Sequence, residues 1–206
     1  MRQIIFATTN KDKVREIKEI LSGLDVELIP MQEIGFEGEI EENGTTFEEN
    51  AAIKAEAVAA FVKEHKPEYA DAIVMADDSG LEIDAMGKMP GVLSHRWLGE
   101  RTYTEAMTDI IREMKDVPEQ ERTARFVCSI AAVVPGHKTY TLRRTIEGTV
   151  AHEIRGEGGF GYDPFFYVPE YGCTTAEMTS EQKNAISHRG KGLRAMRDLL
   201  LFESLL

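Results

Sequence analysis

Cysteine is scarce in this chain. Only two occur, Cys128 and Cys173, too few for a disulfide framework and without the close spacing of a metal–thiolate site. Cys128 falls inside the apolar run 126–134, which reads it as a buried structural thiol. Long apolar runs are also missing. Ile4, Ile5, Phe6 and Ala7 give way to Thr8, too short a stretch for a secretion signal, and nothing approaches membrane-spanning length. The expectation is a cytoplasmic protein with no membrane partner. Basic residues are in deficit, 24 against 36 acidic for a net charge of -12. A nucleic-acid partner is therefore not expected, because binding to a phosphate backbone is driven by clustered Lys and Arg. A single nucleotide remains open, since one triphosphate needs only a local nest of donors and a divalent cation can bridge it to carboxylates.

What is present is ordinary for a globular protein: 42% hydrophobic and 29% charged residues, with no repeat, no low-complexity linker and no sign of disorder. The 206 residues suit one large domain over 1–206, or two interlocked lobes of one, and can bury a core without disulfides or structural metal.

Periodicity places the elements. Residues 3–7 read as a buried strand, followed by a polar turn and then by Val14, Ile17 and Leu21 at helical spacing. A second strand fits 26–29, closed by Pro30. The acidic segment 37–44 reads as an exposed loop. A long helix is predicted from Thr45 or Thr46, because Thr45-Thr46-Phe47-Glu48 has the form of a capping box. Its apolar stripe is Phe47, Ala51, Ala55, Val58 and Val62, with Asn50 and Lys54 on a different face. Residues 73–76 read as a strand ending in Asp77-Asp78-Ser79-Gly80. A helix is expected over 104–114. Two β-rich segments, 123–134 and 138–154, are joined at Pro135-Gly136 as a hairpin. A strand at 165–168 and helices at 180–186 and 191–201 complete an α/β fold, a mixed central sheet flanked by helices.

Five polar clusters stand at element ends, where a rigid scaffold presents functional groups. Thr8-Thr9-Asn10-Lys11-Asp12-Lys13 is either a plain helix-capping turn or, through its backbone N–H groups and lysines, a phosphate cradle. It lacks the glycines and the Gly-Lys-Ser/Thr ending of a Walker loop. Glu41-Glu42 is a solvated acidic loop or one half of a cation site, and Asp77-Asp78 is the other half, because hard divalent cations take oxygen ligands. Neighbouring strand residues point to opposite sides, so one of Asp77 and Asp78 at most serves as ligand or base. Two adjacent carboxylates repel, and a cation or nearby lysines would relieve that. The run from Gly156 to Gly161 matches Gly-x-Gly-x-x-Gly. It precedes the extended aromatic stretch Tyr162-Asp163-Pro164-Phe165 rather than a helix, which rules out the dinucleotide reading. It suits a hairpin end, or close backbone approach to a ligand whose flat ring Phe160 and Tyr162 cover. Lys183, Ser187, His188 and Arg189 either cap a helix or supply donors to phosphate and to a purine carbonyl.

Together these motifs resemble the inosine triphosphate pyrophosphatase family. The resemblance lies in Thr8 to Lys13, in Glu41-Glu42-Asn43-Gly44-Thr45-Thr46-Phe47-Glu48-Glu49-Asn50-Ala51 with Lys54, and in Ala76-Asp77-Asp78-Ser79-Gly80-Leu81. It continues in Pro90-Gly91-Val92 with Ser94 and Arg96, in Gly159-Phe160-Gly161-Tyr162-Asp163-Pro164, and in Lys183 with Ser187-His188-Arg189-Gly190. The motifs run in the family's order across nearly the whole chain. The resemblance implies a two-lobed fold around a long mixed sheet, a homodimer, and a purine nucleoside triphosphate in the cleft between lobes. It also implies Mg²⁺-dependent hydrolysis between the α- and β-phosphates of inosine and xanthosine triphosphates, which clears them from the nucleotide pool. Thr8, Thr9, Asn10, Lys11, Asp12 and Lys13 would then bind the triphosphate, with Lys54 and Ser79 beside it. Glu41 or Glu42, with Asp78, would hold the Mg²⁺, and Asp78 would orient or deprotonate the attacking water. Phe160, Gly161, Tyr162, Asp163, Lys183, His188 and Arg189 would form the nucleotide pocket, the last two near the base. The chain departs from the common pattern at Thr9 and Asp12, where glycine is frequent, at Trp97, where tyrosine is common, and in a longer segment 65–72; no proposed ligand is lost. Two other readings fit less of the chain. One is a related pyrophosphatase for modified or pyrimidine triphosphates, whose N-terminal Ser-Pro-Arg-Arg type motif is absent. The other is a module that senses nucleotides without turnover, which leaves Asp77-Asp78 without a catalytic role.

Overall fold

The computed structural model describes residues 2–22 and 25–206. Among the described residues seven strands form one sheet in the order β2-β1-β3-β4-β5-β6-β7. They are β1 (Arg2–Phe6), β2 (Val26–Pro30), β3 (Ile73–Ile83), β4 (Thr123–Val133), β5 (Tyr140–Val150), β6 (Phe166–Val168) and β7 (Cys173–Thr174). β1 runs parallel to both β2 and β3, whereas β5–β6 and β6–β7 are antiparallel. The sheet is therefore mixed, as expected. The described residues also form the α-helices α1 (Lys11–Leu21), α2 (Phe47–His65), α3 (Tyr103–Glu113), α4 (Ser180–Ile186) and α5 (His188–Phe202). Among the described residues no helix is long and apolar enough to cross a membrane.

Four boundaries differ from the sequence expectation. The capping box of α2 sits one residue later, with Thr46 as N-cap and Glu49 as its partner, because Phe47 must turn inward and is buried. The strand expected to stop at Ala76 runs on to Ile83, since neighbouring cations neutralise the two aspartates within it. The last helix begins at His188 rather than 191, directly after Ser187, the C-cap of α4. The segment 138–154 contributes a strand only over Tyr140–Val150.

The chain divides into two compact units, 1–78 with 128–144 and 189–206, and 79–127 with 145–188. The first holds two apolar clusters. In one, Leu193, Met196 and Leu200 of α5 join Ile4, Phe6, Ile17 and Cys128; in the other, the Ala51, Ala55, Val58 and Val62 face of α2 joins Ile5, Val74 and Ala76. The second unit has a core of Leu81, Ile83, Met107, Ile110, Phe126, Phe165 and Phe166 among others. In that unit Arg122 is fully buried, and its guanidinium donates only to carbonyls: Met114 at 2.6 Å, Val150 at 3.0 Å and Ala151 at 3.1 Å.

Candidate active site

The first unit gathers the phosphate and cation candidates around the middle of β3. Asn10 caps α1 by accepting hydrogen bonds from the backbone N–H groups of Asp12 at 2.9 Å and Lys13 at 3.2 Å. The helix-capping reading of this turn is therefore realised. It also fixes the first turn of α1, where the partial positive charge of the helix end favours an anion. Thr8 is buried, Thr9, Asn10 and Lys11 are exposed, and Asp12 and Lys13 are half-buried. Asp12 pairs with Arg15 at 3.1 Å.

Asp77 and Asp78 have separate partners, as alternation along a strand requires. Asp77 takes the Lys13 ammonium at 3.0 Å and the Arg189 Nε and Nη2 at 3.3 Å each. Arg189 is buried, and its Nη1 also pairs with the buried Glu16 of α1. Burial alone would lower its pKa, but Asp77 and then Glu16 outweigh that and raise it. This guanidinium is thus held on carboxylates of the first unit, a partnership the expected place near a base did not include. Glu16 carried no sequence signal, because one acidic residue on an amphipathic helix reads as solvent-facing.

Asp78 faces Lys54. The Lys54 ammonium lies 3.2 Å from Asp78 Oδ1 and 2.8 Å from Glu42 Oε2. Of the two loop glutamates, Glu42 is the one that reaches this lysine, while Glu41 is exposed. Burial pushes the Asp78 carboxyl up against the opposing pull of Lys54 and Lys13. Burial acts to lower the Lys54 ammonium, but Asp78, Asp77 and Glu42 prevail and raise it. The other oxygen, Asp78 Oδ2, is buried and accepts no hydrogen bond, which is costly unless a ligand meets it. Glu42 and Asp78 on one lysine, with that unsatisfied oxygen, suit a hard divalent cation. No cluster of three or more potential metal-binding side chains exists among the described residues. Mg²⁺ does not require one, since it takes one or two carboxylates, waters and substrate phosphates.

The second unit holds the base-recognition candidates. Asp163, almost fully buried, accepts from the Phe160 backbone N–H at 2.8 Å and from Lys183 Nζ at 2.7 Å through Oδ2. The Lys183 ammonium lies 4.8 Å from the centroid of the Phe160 ring, a cation–π distance. Phe160 and Gly161 are half-buried. Tyr162, the other residue expected to cover a ring, packs within this unit. It is buried, sets its ring edge-on to Tyr103 at 5.0 Å, and donates its hydroxyl to the Ser94 carbonyl at 2.9 Å. Burial, then Tyr103, raises its pKa. Ser94 Oγ in turn accepts the Leu81 N–H at 2.8 Å and donates to the Gly91 carbonyl at 2.6 Å. The Pro-Gly-Val-x-Ser motif thus fastens β3 just beyond the half-buried Ser79. His188 is buried and stacks on Phe126 with ring centroids 5.0 Å apart.

The sequence profile of the Ham1 family matches residues 4–199. A dITP/XTP pyrophosphatase of Bacillus subtilis (strain 168) is 47% identical over 201 residues, covering 97% of this chain and 98% of the relative. Among solved structures, a HAM1 protein from Coxiella burnetii superposes with a TM-score of 0.83 at 37% identity, covering 98% of this chain and 99% of its own. The Staphylococcus aureus Ham1 protein does so with a TM-score of 0.83 at 35% identity, covering 98% and 100%.

Proposed function

The chain belongs to the Ham1 family, and on that premise we propose that it is a dITP/XTP pyrophosphatase. It hydrolyses non-standard purine nucleoside triphosphates to the monophosphate and pyrophosphate, and so removes them from the cytoplasmic nucleotide pool. The observation that carries the chemistry is the buried, unsatisfied Asp78 Oδ2 beside Lys54. In this reading the protein is a single two-lobed catalytic domain that binds the nucleotide in a cleft, and it works as a homodimer.

Attack at phosphorus needs charge neutralisation and in-line positioning more than a covalent nucleophile. Lys13 and Lys54 supply positive charge, and the backbone of Thr8, Thr9, Asn10, Lys11 and Asp12 supplies donors for the phosphates. Glu42, with Glu41 at the loop's edge, and Asp78 would hold Mg²⁺, which when bound neutralises phosphate charge. Asp78 Oδ2 orients the water that attacks the α-phosphorus and accepts its proton. A carboxyl pushed up by burial is the better base for that step. Ser79, next on the strand, hydrogen-bonds the phosphates. Phe160 and Gly161 cover the nucleotide, and Tyr162 and Asp163 hold that loop in place. Lys183 and His188 present donors, which match the carbonyl at the purine 6-position of inosine and xanthosine but not the amino group of adenine. Such a mismatch leaves site groups unpaired and can discriminate by orders of magnitude. Arg189 supports the phosphate end by clamping Asp77.

The test is pyrophosphate release from inosine, xanthosine, guanosine, adenosine, uridine and thymidine triphosphates, with Mg²⁺ and with chelator. Metal-dependent turnover of inosine and xanthosine triphosphates is expected. Turnover mainly of pyrimidines would overturn the substrate, and binding without release would make the protein a sensor.

A further inference from the structure

We propose that Thr175 is a positioning residue for base recognition, its buried hydroxyl locking the carboxylate that holds both Phe160 and Lys183. The inference rests on the nucleotide reading above and adds a residue that does not touch the ligand.

Thr175 follows β7 and is 3% exposed. Its backbone N–H donates to the Phe166 carbonyl at 3.0 Å, which fixes the residue against β6. Its Oγ1 donates to Asp163 Oδ1 at 2.8 Å. The other carboxylate oxygen, Oδ2, accepts from the Phe160 N–H and from Lys183 Nζ. Each oxygen of a buried carboxylate thus has its own partner, and the Thr175 bond sets the rotation of the group. That control is needed, because the terminal torsion of an aspartate is broad. Without the hydroxyl, Oδ1 is left buried and unpaired, and the carboxylate turns to recover a donor. The Phe160 N–H and the Lys183 ammonium then move with it. Both are parts of one recognition surface, since that ammonium lies against the Phe160 ring.

The residues flanking Thr175 explain the glycine run as well. Thr174 Oγ1 donates to the Arg155 carbonyl at 2.8 Å, and the Gly158 N–H donates to the Ala176 carbonyl at 3.0 Å. A Cβ on Gly156 would sit 2.6 Å from the Ala176 carbonyl carbon, and one on Gly158 2.8 Å from its oxygen. A Cβ on Gly159 would sit 2.8 Å from Asp163 Cγ. The loop is glycine-rich because the strap 174–176 and the Asp163 carboxylate press against its backbone. Thr175 is the point of the strap that reaches the carboxylate.

The experiment is steady-state kinetics on Thr175→Val and Thr175→Ser with inosine triphosphate, alongside inhibition by inorganic tripolyphosphate. Loss of a hydrogen bond to a charged group predicts a KM raised about tenfold or more in T175V, with kcat within about threefold. T175S should restore the KM, and tripolyphosphate should inhibit all forms alike, because Lys13 and Lys54 lie outside this network. An unchanged KM in folded T175V overturns the proposal. So does a parallel loss of kcat and tripolyphosphate affinity, which marks a general defect. Should T175V be insoluble, Thr175→Ala carries the same expectation, and insolubility of both would reduce Thr175 to a folding role. Failure of the unmodified protein to hydrolyse inosine triphosphate would instead sink the proposed function, before any variant is made.

Discussion

Asp77 and Asp78 are adjacent, both buried, and differently employed. Asp77 pairs with Lys13 and Arg189, and Asp78 shares Lys54 with Glu42 while its Oδ2 has no donor. Replacing Asp78 with Asn preserves shape but removes the proposed base, so D78N should lose on the order of a thousandfold in kcat. It should still bind inosine triphosphate, as calorimetry can measure. Near-normal turnover would remove Asp78 from the mechanism. Arg122 gives a second expectation at this scale. Arg122→Met takes the guanidinium donor away from the Val150 and Ala151 carbonyls and leaves the Met114 carbonyl with only the Val117 N–H, and should lower unfolding free energy in urea by about 3 kcal/mol. Residues of these two kinds were unequally legible in the sequence. The aspartate pair stood out because two carboxylates after an apolar run demand a counter-charge. Glu16, Arg122 and Thr175 did not, since each owes its role to partners distant in sequence.

At the scale of elements, the acidic loop and α2 act as one device. The Glu49 carboxylate accepts the Thr45 and Thr46 N–H groups, chiefly the former bond holding its pKa down. Asn50 Oδ1 accepts the Gly44 N–H at 2.9 Å. These bonds pin the loop two residues beyond Glu42. A Cβ at Gly44 would lie 2.7 Å from both Asn50 Oδ1 and Glu49 Cβ, so Gly44→Ala must loosen the staple. The expected result is a higher Mg²⁺ concentration for half-maximal activity, with kcat at saturating metal largely kept. A metal titration reads it, and an unchanged midpoint would detach this staple from the cation site. The helix start was legible as Thr45 or Thr46, and only its capping box was read one residue early, because Thr45/Glu48 and Thr46/Glu49 both satisfy the capping pattern. Burial of Phe47 decided between them. The extension of β3 through Asp77 and Asp78 was hidden for the opposite reason: a central strand with two acids reads as its own end until Lys13, Lys54 and Arg189 are placed.

At the scale of the molecule, the mixed α/β class followed from periodicity. Strand order did not, because pairings between distant segments leave no local trace. Acid tolerance is one property of the whole that a local network predicts. Asp84 accepts Arg125 through both oxygens, at 3.0 and 2.9 Å, and is also met by Lys88 and by Thr123. Hydrogen bonds from Arg125 first, then Lys88 and Thr123, hold its carboxyl well below the usual range. Between the native and unfolded pKa values the unfolded chain binds the extra proton, so stability there rises with pH. Asp84→Asn should therefore lower the Tm by a constant amount above about pH 5, and the gap to the unmodified protein should close as pH falls below about 4. A gap that is flat down to pH 2 would mean that Asp84 does not carry it. Sedimentation equilibrium checks the proposed homodimer.

The division of the chain into units has a consequence for its synthesis. The first unit needs residues 128–144 and 189–206, whereas the second ends at 188. A ribosome, working from the N-terminus, therefore delivers everything the second unit needs before the first can close. Ile4, Phe6 and Ile17, made before any of the second unit, wait for Leu193, Met196 and Leu200, made after all of it. Limited proteolysis of chains stalled with residue 188 just emerged should find 79–127 and 145–188 protected and 2–22 open to cleavage. The face of β1 that carries Ile4 and Phe6 is made before the second unit yet covered after it, and during that interval it is a part of the nascent protein that needs a chaperone's cover.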